Sequence, residues 1–108
     1  MEVMIMIITT TERISDKELE TLGIVKGSTI QSKNIGRDIM SGFKTIVGGE
    51  LQSYTIMMNE ARALATKRMV EDAESLGADA IVCMRYASSS VMAGAAEVIA
   101  YGTAVKFK

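Results

Sequence analysis

Apolar residues change their rhythm along this chain, and each rhythm selects an element. Between Val3 and Thr9 they run almost without a polar break, a short continuous stretch of β-branched and flexible side chains that predicts a buried strand covered on both faces. The polar segment TTERISDKELE follows. Then LGIVKGSTIQSK sets Ile24, Val25 and Ile30 among Thr and Ser, with two glycines that imply a bend or a bulge, and it predicts a second strand. In GRDIMSGFKTIVGGE the apolar positions Ile39, Phe43, Ile46 and Val47 fall at helical spacing and Gly48 with Gly49 supplies a stop, so a short helix is expected.

The next segment, Glu50 to Leu76, contains neither Pro nor Gly and is rich in Ala, Leu, Met, Glu and Arg, all good helix formers; Gly77 stands where a left-handed cap belongs. Such a helix is roughly 40 Å long, against a radius of gyration of about 13 Å for a compact domain of this size. Part of it should overhang its own subunit. At 100° per residue Leu51, Tyr54, Met58, Ala61, Ala65, Met69, Ala73 and Leu76 form a core stripe. Met57 and Leu64 lie on its flank, and Ile56, Ala63 and Val70 make a further apolar line on the other side. The water-facing arc around Glu60, Lys67 and Glu71 is narrow, so these five flanking residues form the expected interface with a second copy. Arg62 falls within the stripe and needs either an acidic or carbonyl partner or an escape to solvent along its stem.

Two alternating segments close the chain. ADAIVCMRYA sends Ile81, Cys83 and Arg85 to one face and Val82, Met84 and Tyr86 to the other, whereas AAEVIAYGTAVKF groups Glu97, Ile99, Tyr101, Val105 and Phe107. A hairpin centred on Val91 would set Arg85 opposite Glu97, Cys83 opposite Ile99 and Ile81 opposite Tyr101. The predicted fold is therefore α+β in two layers, ordered β-β-α-α-β-β, with one long helix on a mainly antiparallel sheet. Its 108 residues suit a single domain, 1–108, and no linker or repeat divides them.

Composition mostly excludes. Twelve basic and thirteen acidic residues nearly cancel, and five aromatics with no Trp make a poor stacking platform, so nucleic acid is not an expected partner. The opening apolar run is far short of the roughly 20 residues that span a bilayer and lacks the flanks of a signal peptide, so no membrane role is expected. A lone cysteine suits a reducing compartment, and a cytoplasmic location follows.

Candidate chemistry is sparse. Zinc ordinarily takes four ligands from Cys, His and carboxylates, and the chain has one Cys and no His. Cys83 and Met84 are consecutive on a strand and point to opposite faces, so they cannot grip one ion together. A soft ion such as copper(I), held by Cys83 and some of the nine methionines, is the alternative to burial of Cys83 as a small hydrophobe, and no cofactor is otherwise expected. Acid and base catalysis would fall to carboxylates such as Glu50, Glu60 or Glu97, with no sign that two converge, and Ser88, Ser89 and Ser90 have no identifiable base. Gly36, Arg37 and Asp38 could hold an anion at a helix start or simply cap it. An enzyme of carboxylate type thus stays behind a structural or ligand-binding module in which Arg37, Arg62, Arg85 and Glu97 are the polar candidates.

The ordered series TTTE, GRDIMSGFKTIVGGELQSYT, ARALATKRMVEDAESLGADAIV and EVIAYGTAV, spanning nearly the whole chain, closely resembles the YbjQ-like family of small bacterial and archaeal proteins, which sometimes carries a heavy-metal-binding label. The resemblance implies an α+β subunit assembled as a homopentameric ring. It also implies a small residue such as Gly where Cys83 stands, so that a metal role for this cysteine would be peculiar to this chain. A ring could still bring one ligand from each subunit to a common axis.

Overall fold

A computed structural model describes residues 5–32, 47–92 and 94–108, with the side chains of 47–51 excepted. The elements run β1 (Ile7–Ile8), β2 (Leu19–Ser32), α1 (Val47–Ser75), β3 (Ala80–Met92) and β4 (Ala95–Phe107). The strands form one sheet in the order β1-β3-β4-β2, antiparallel except where β1 lies parallel to β3. One long helix packed on a mainly antiparallel sheet agrees with the expected class. The short helix expected over residues 36–50 lies largely outside the described residues, and so does Arg37. Gly48 and Gly49 are helical rather than a stop, so α1 begins ahead of the expected Glu50.

Helix α1 is 29 residues long, about 43 Å at 1.5 Å per residue. Its far end is closed by a Schellman pair: Ala78 N–H donates to Ala73 C=O at 3.1 Å and Gly77 N–H to Glu74 C=O at 3.0 Å, with Gly77 at φ +75°. The helix sits on β2 so closely that a Cβ on Gly27 would run into the backbone of Ala65, Arg68 and Met69. Only glycine permits that approach. Ala61, Ala65, Met69 and Ala73 meet Val25, Ile81, Met84, Val98, Ala100 and Ala104 in the principal core, with Met58 and Val70 partly buried against it. Small residues at these helix positions are what let the two backbones come together. Met57 is buried, while Leu76, expected on the core stripe, is 48% exposed because the Gly77 turn begins before it can reach the sheet.

Among the described residues, the opposite face of the sheet is covered at one end. There the loop before β2 lays Ile14 over Ala80, Val82 and Val105, joined by Leu19, Cys83 and Phe107, and the Lys17 ammonium lies 4.9 Å from the centroid of the Phe107 ring. Farther along, Ile24 is 81% exposed and Ile30 62%, and Tyr101 is exposed between them. Strand β1 corrects an expectation too. Ile7 and Ile8 are exposed, because β1 is an edge strand paired at two positions only, whereas a buried strand covered on both faces was expected. The radius of gyration, 17.2 Å, exceeds the roughly 13 Å of a compact domain of this length, as a long rod on a partly covered sheet requires.

Candidate functional site

The hairpin of β3 and β4 carries Arg85 and Glu97, two of the four polar candidates, and its register decides whether they meet. Arg85 faces Tyr101, Ala87 faces Ile99 and Ser89 faces Glu97, with Met92 opposite Ala95 across a connection of Ala93 and Gly94. The connection is thus nearer the chain's end than a loop centred on Val91, and Ser88, Ser89 and Ser90 lie within β3 rather than in a turn. The expected pairing of Arg85 with Glu97 does not form. Four residues of strand separate Glu97 from Tyr101, the partner of Arg85, which is roughly 13 Å at 3.3 Å per residue.

A bulge causes the slip. Between Val82, which pairs with Thr103, and Arg85, which pairs with Tyr101, Cys83 and Met84 together stand opposite Gly102. Cys83 has φ +56°, a left-handed backbone unusual for a residue with a Cβ. A Cβ on Gly102 would lie 2.7 Å from Ile81 Cγ2 and 3.0 Å from Val82 O, so glycine makes room for the bulge. The extra residue turns Val82 and Cys83 to the same side of the sheet, away from the helix, while Ile81 and Met84 both enter the helix-side core. Ile81 and Cys83 therefore do not share a face, as strict alternation would have required. Cys83 and Met84 remain on opposite faces.

The bulge is held from outside by the segment after β1. Cys83 N–H donates to Thr11 C=O and Met84 N–H to Thr9 C=O, each at 3.0 Å. Arg85 Nη1 donates to Thr10 C=O at 3.1 Å and to Met84 C=O at 2.8 Å, so this guanidinium ties the strand to the loop instead of meeting a carboxylate. Arg62 is half-buried and donates to Asn59 Oδ1 at 2.6 Å, one turn back on its own helix, so it escapes the core along the helix surface. Glu97 is half-buried on the open face, between Ser89 and Ile30. Glu60 is exposed on the helix, so the sheet stands between these two carboxylates. The side chain of Glu50 lies outside the described residues. A hollow bounded by Arg13, Ile14, Ser15, Asp16, Lys17 and Glu18 is drawn from one loop and open to solvent, not a cleft where distant residues converge.

The donor set of the described residues does not make a metal centre within one subunit. Among the described residues no three of His, Cys, Asp and Glu gather closely enough to hold an ion. Cys83 is half-buried and packs, as Ile14, Leu19 and Phe107 do, against the cluster of Ala80, Val82 and Val105, in which none of the described residues is a second soft ligand. No helix among the described residues is long and apolar enough to cross a membrane. Of the expected interface residues, Met57 is buried within the chain, Val70 rests on the core, Leu64 is half-buried, and Ile56 and Ala63 are exposed.

The site that sequence reasoning missed is the edge geometry. On β2, Lys26 N–H donates to Asp72 Oδ2 at 3.1 Å, and Ser28 C=O accepts from Arg68 Nη1 at 2.7 Å. Asp72 and Arg68 lie four apart on α1, a spacing that could have suggested a shared polar target on one helix face.

Comparison with known proteins agrees with this architecture. A family model described as "Putative heavy-metal-binding" (YbjQ_1) matches residues 6–108. A UPF0145 protein of Alkaliphilus metalliredigens is 71% identical over 94% of this chain and 99% of its own length, and one of Methanosarcina acetivorans is 61% identical over 94% and 96%. The crystal structure of a DUF74-family protein of unknown function from Pediococcus pentosaceus superposes with a TM-score of 0.60 at 18% identity, covering 95% of this chain and 98% of that one, a likeness of fold. On the extent of the family match and on relatives this close along almost their whole length, the chain belongs to the UPF0145 (YbjQ-like, DUF74) family.

Proposed function

We propose that this protein is a homo-oligomeric structural or ligand-binding module, pentameric by its family resemblance, whose subunits complete one another's uncovered surface. The observation that carries this reading is the open sheet face, where Ile24, Ile30 and Tyr101 lie in water in a single copy. An isolated large apolar side chain on a surface is ordinary; several on one rigid sheet face mark an interaction surface. The exposed Ile56 and Ala63 on the helix add a second strip. Burying apolar area stabilises association by about 25 cal/mol per Å², before the cost of lost rigid-body freedom. Arg62, Arg85 and Glu97 belong to this module as structural or rim groups, and a small ligand would be sought between copies rather than within one.

Static light scattering tests this. A mass several times the 11.6 kDa subunit is expected, and a clean monomer would contradict it. The family's description invites a metal reading as well, with Cys83 as the ligand and the copies supplying one another's donors, but the described residues of one subunit give it no geometric support. Titration with copper(I) of the reduced protein and of Cys83→Ser is expected to give the same weak uptake.

A further inference from the structure

Helix α1 rests mainly on β2, so the outer part of β3 runs beside the helix and stays exposed. The Thr66 and Tyr86 hydroxyls, 2.7 Å apart, join the two elements. Tyr86 and Ser88 stand opposite Ala100 and Val98 of the helix-side core, and residues directly opposite in an antiparallel pair share a face, so both turn toward the helix. Helix and strand run antiparallel through the Gly77 turn. One turn back from Thr66 is Arg62, about 6 Å along the helix axis, and two residues on from Tyr86 is Ser88, about 6.6 Å along the strand. Arg62 and Ser88 are therefore level with each other.

This flank offers donors and, among the described residues, no carboxylate. Arg62 is half-buried, and its guanidinium spends one N–H on Asn59 Oδ1 at 2.6 Å, which leaves the Asn59 NH2 group able to donate outward. The Thr66 hydroxyl donates to Arg62 C=O at 2.7 Å and so accepts from Tyr86, which fixes one wall. The Ser88 hydroxyl is exposed, with no partner among the described residues. One turn from Arg62 stand Met58, Asn59, Ala65 and Thr66, none acidic, and residues 86–96 carry no charge. Glu97 belongs to the opposite face of the sheet, and Glu60 lies about 160° round the helix from Arg62. A neutral amide leaves the guanidinium charge uncancelled, and an oxyanion seated against its planar fork gains charge-assisted hydrogen bonds. We propose that the flank between α1 and the outer part of β3 binds a small oxyanion, a carboxylate or phosphate group, with Arg62 as its counter-charge and Asn59 and Ser88 as supporting donors. The site lies at the margin of the subunit, its donors come from one chain, and it goes beyond the homo-oligomeric reading without depending on it.

Residue-resolved NMR during titration with sodium phosphate and, separately, sodium acetate, at an ionic strength held constant with sodium chloride, tests it. Saturable shifts are expected at the Arg62 Nε–H and the Ser88 amide, and saturation by one salt alone identifies which oxyanion the site takes. Arg62→Gln should weaken binding at least about 10-fold, as loss of a charge-assisted bond does. Arg62→Lys, which keeps the charge and loses the planar fork, should fall between the two. Should Arg62→Gln not fold, Asn59→Leu and Ser88→Ala carry the test, each expected to weaken binding about 3-fold. No saturable shift with either salt, or equal affinity in the unmodified protein and the variants, would overturn the proposal. Sedimentation of the same samples separates it from the oligomer reading: a monomer that binds keeps the site and removes the oligomer, and an assembly that does not bind does the reverse.

Discussion

The two long edges of the sheet are finished in different ways. Along β2 the chain seals its own edge: Gly27 lies against the helix backbone, Asp72 takes the Lys26 N–H and Arg68 takes the Ser28 carbonyl. Along β3 the seal among the described residues runs as far as Arg85, and the strand then continues exposed to Met92. Among the described residues, α1 accounts for the asymmetry. A helix is about 10 Å wide and strands are about 4.8 Å apart, so one helix covers roughly half of a four-stranded sheet. In this chain it lies over the β2 side. The covered edge holds the subunit together, and the open face is the surface that the oligomeric proposal assigns to further copies.

Substitutions should separate those roles, and the largest effect belongs on the sealed edge. Gly27→Val must lift α1 off β2, and a loss of about 3 kcal/mol is expected in urea unfolding; Ser88→Val on the bare edge should stay within about 0.5 kcal/mol for the isolated subunit. Gly102→Ala, which crowds Ile81 and Val82 at the bulge, should cost about 1–3 kcal/mol. Asp72→Ala strips the Lys26 amide of its acceptor and should cost about 1 kcal/mol, the amide being near water. Cys83→Gly, relieving the left-handed backbone, should raise stability by up to about 1 kcal/mol, whereas Cys83→Val should lower it. Smallest for the subunit is Ile24→Ser, expected within about 0.5 kcal/mol because the side chain is already in water. Its effect should appear instead as weaker assembly on dilution. Equal losses from Gly27→Val and Ser88→Val would erase the distinction between the edges.

What the sequence made legible was whatever depends on local rules. The long helix was readable because Glu50 to Leu76 lacks breakers and because Gly77 can take the left-handed cap, and the structure places the helix at Val47–Ser75. Gly23 announced the irregularity of β2, seen as a register shift between Thr21 and Gly23. The hairpin register was not legible. It depends on a bulge at Cys83 and Met84 that Gly102, nearly twenty residues later, makes room for, and alternation alone carries no record of that contact. The Arg85–Glu97 pair was attractive because opposite charges matched. Three loop carbonyl groups from Thr9 to Thr11 outcompeted it by engaging residues 83–85 together. The first strand looked buried because its residues are apolar, but a run of apolar residues does not say whether its cover comes from its own chain or from another copy. Of the candidate site, only the identity of the polar residues was readable; where each one points was set by the bulge and the helix.

The central claim is that this subunit completes its sheet against further copies of itself. Sedimentation equilibrium over a dilution series measures that directly. The account predicts a species several times 11.6 kDa at micromolar concentration, and a single 11.6 kDa species throughout the series would contradict it.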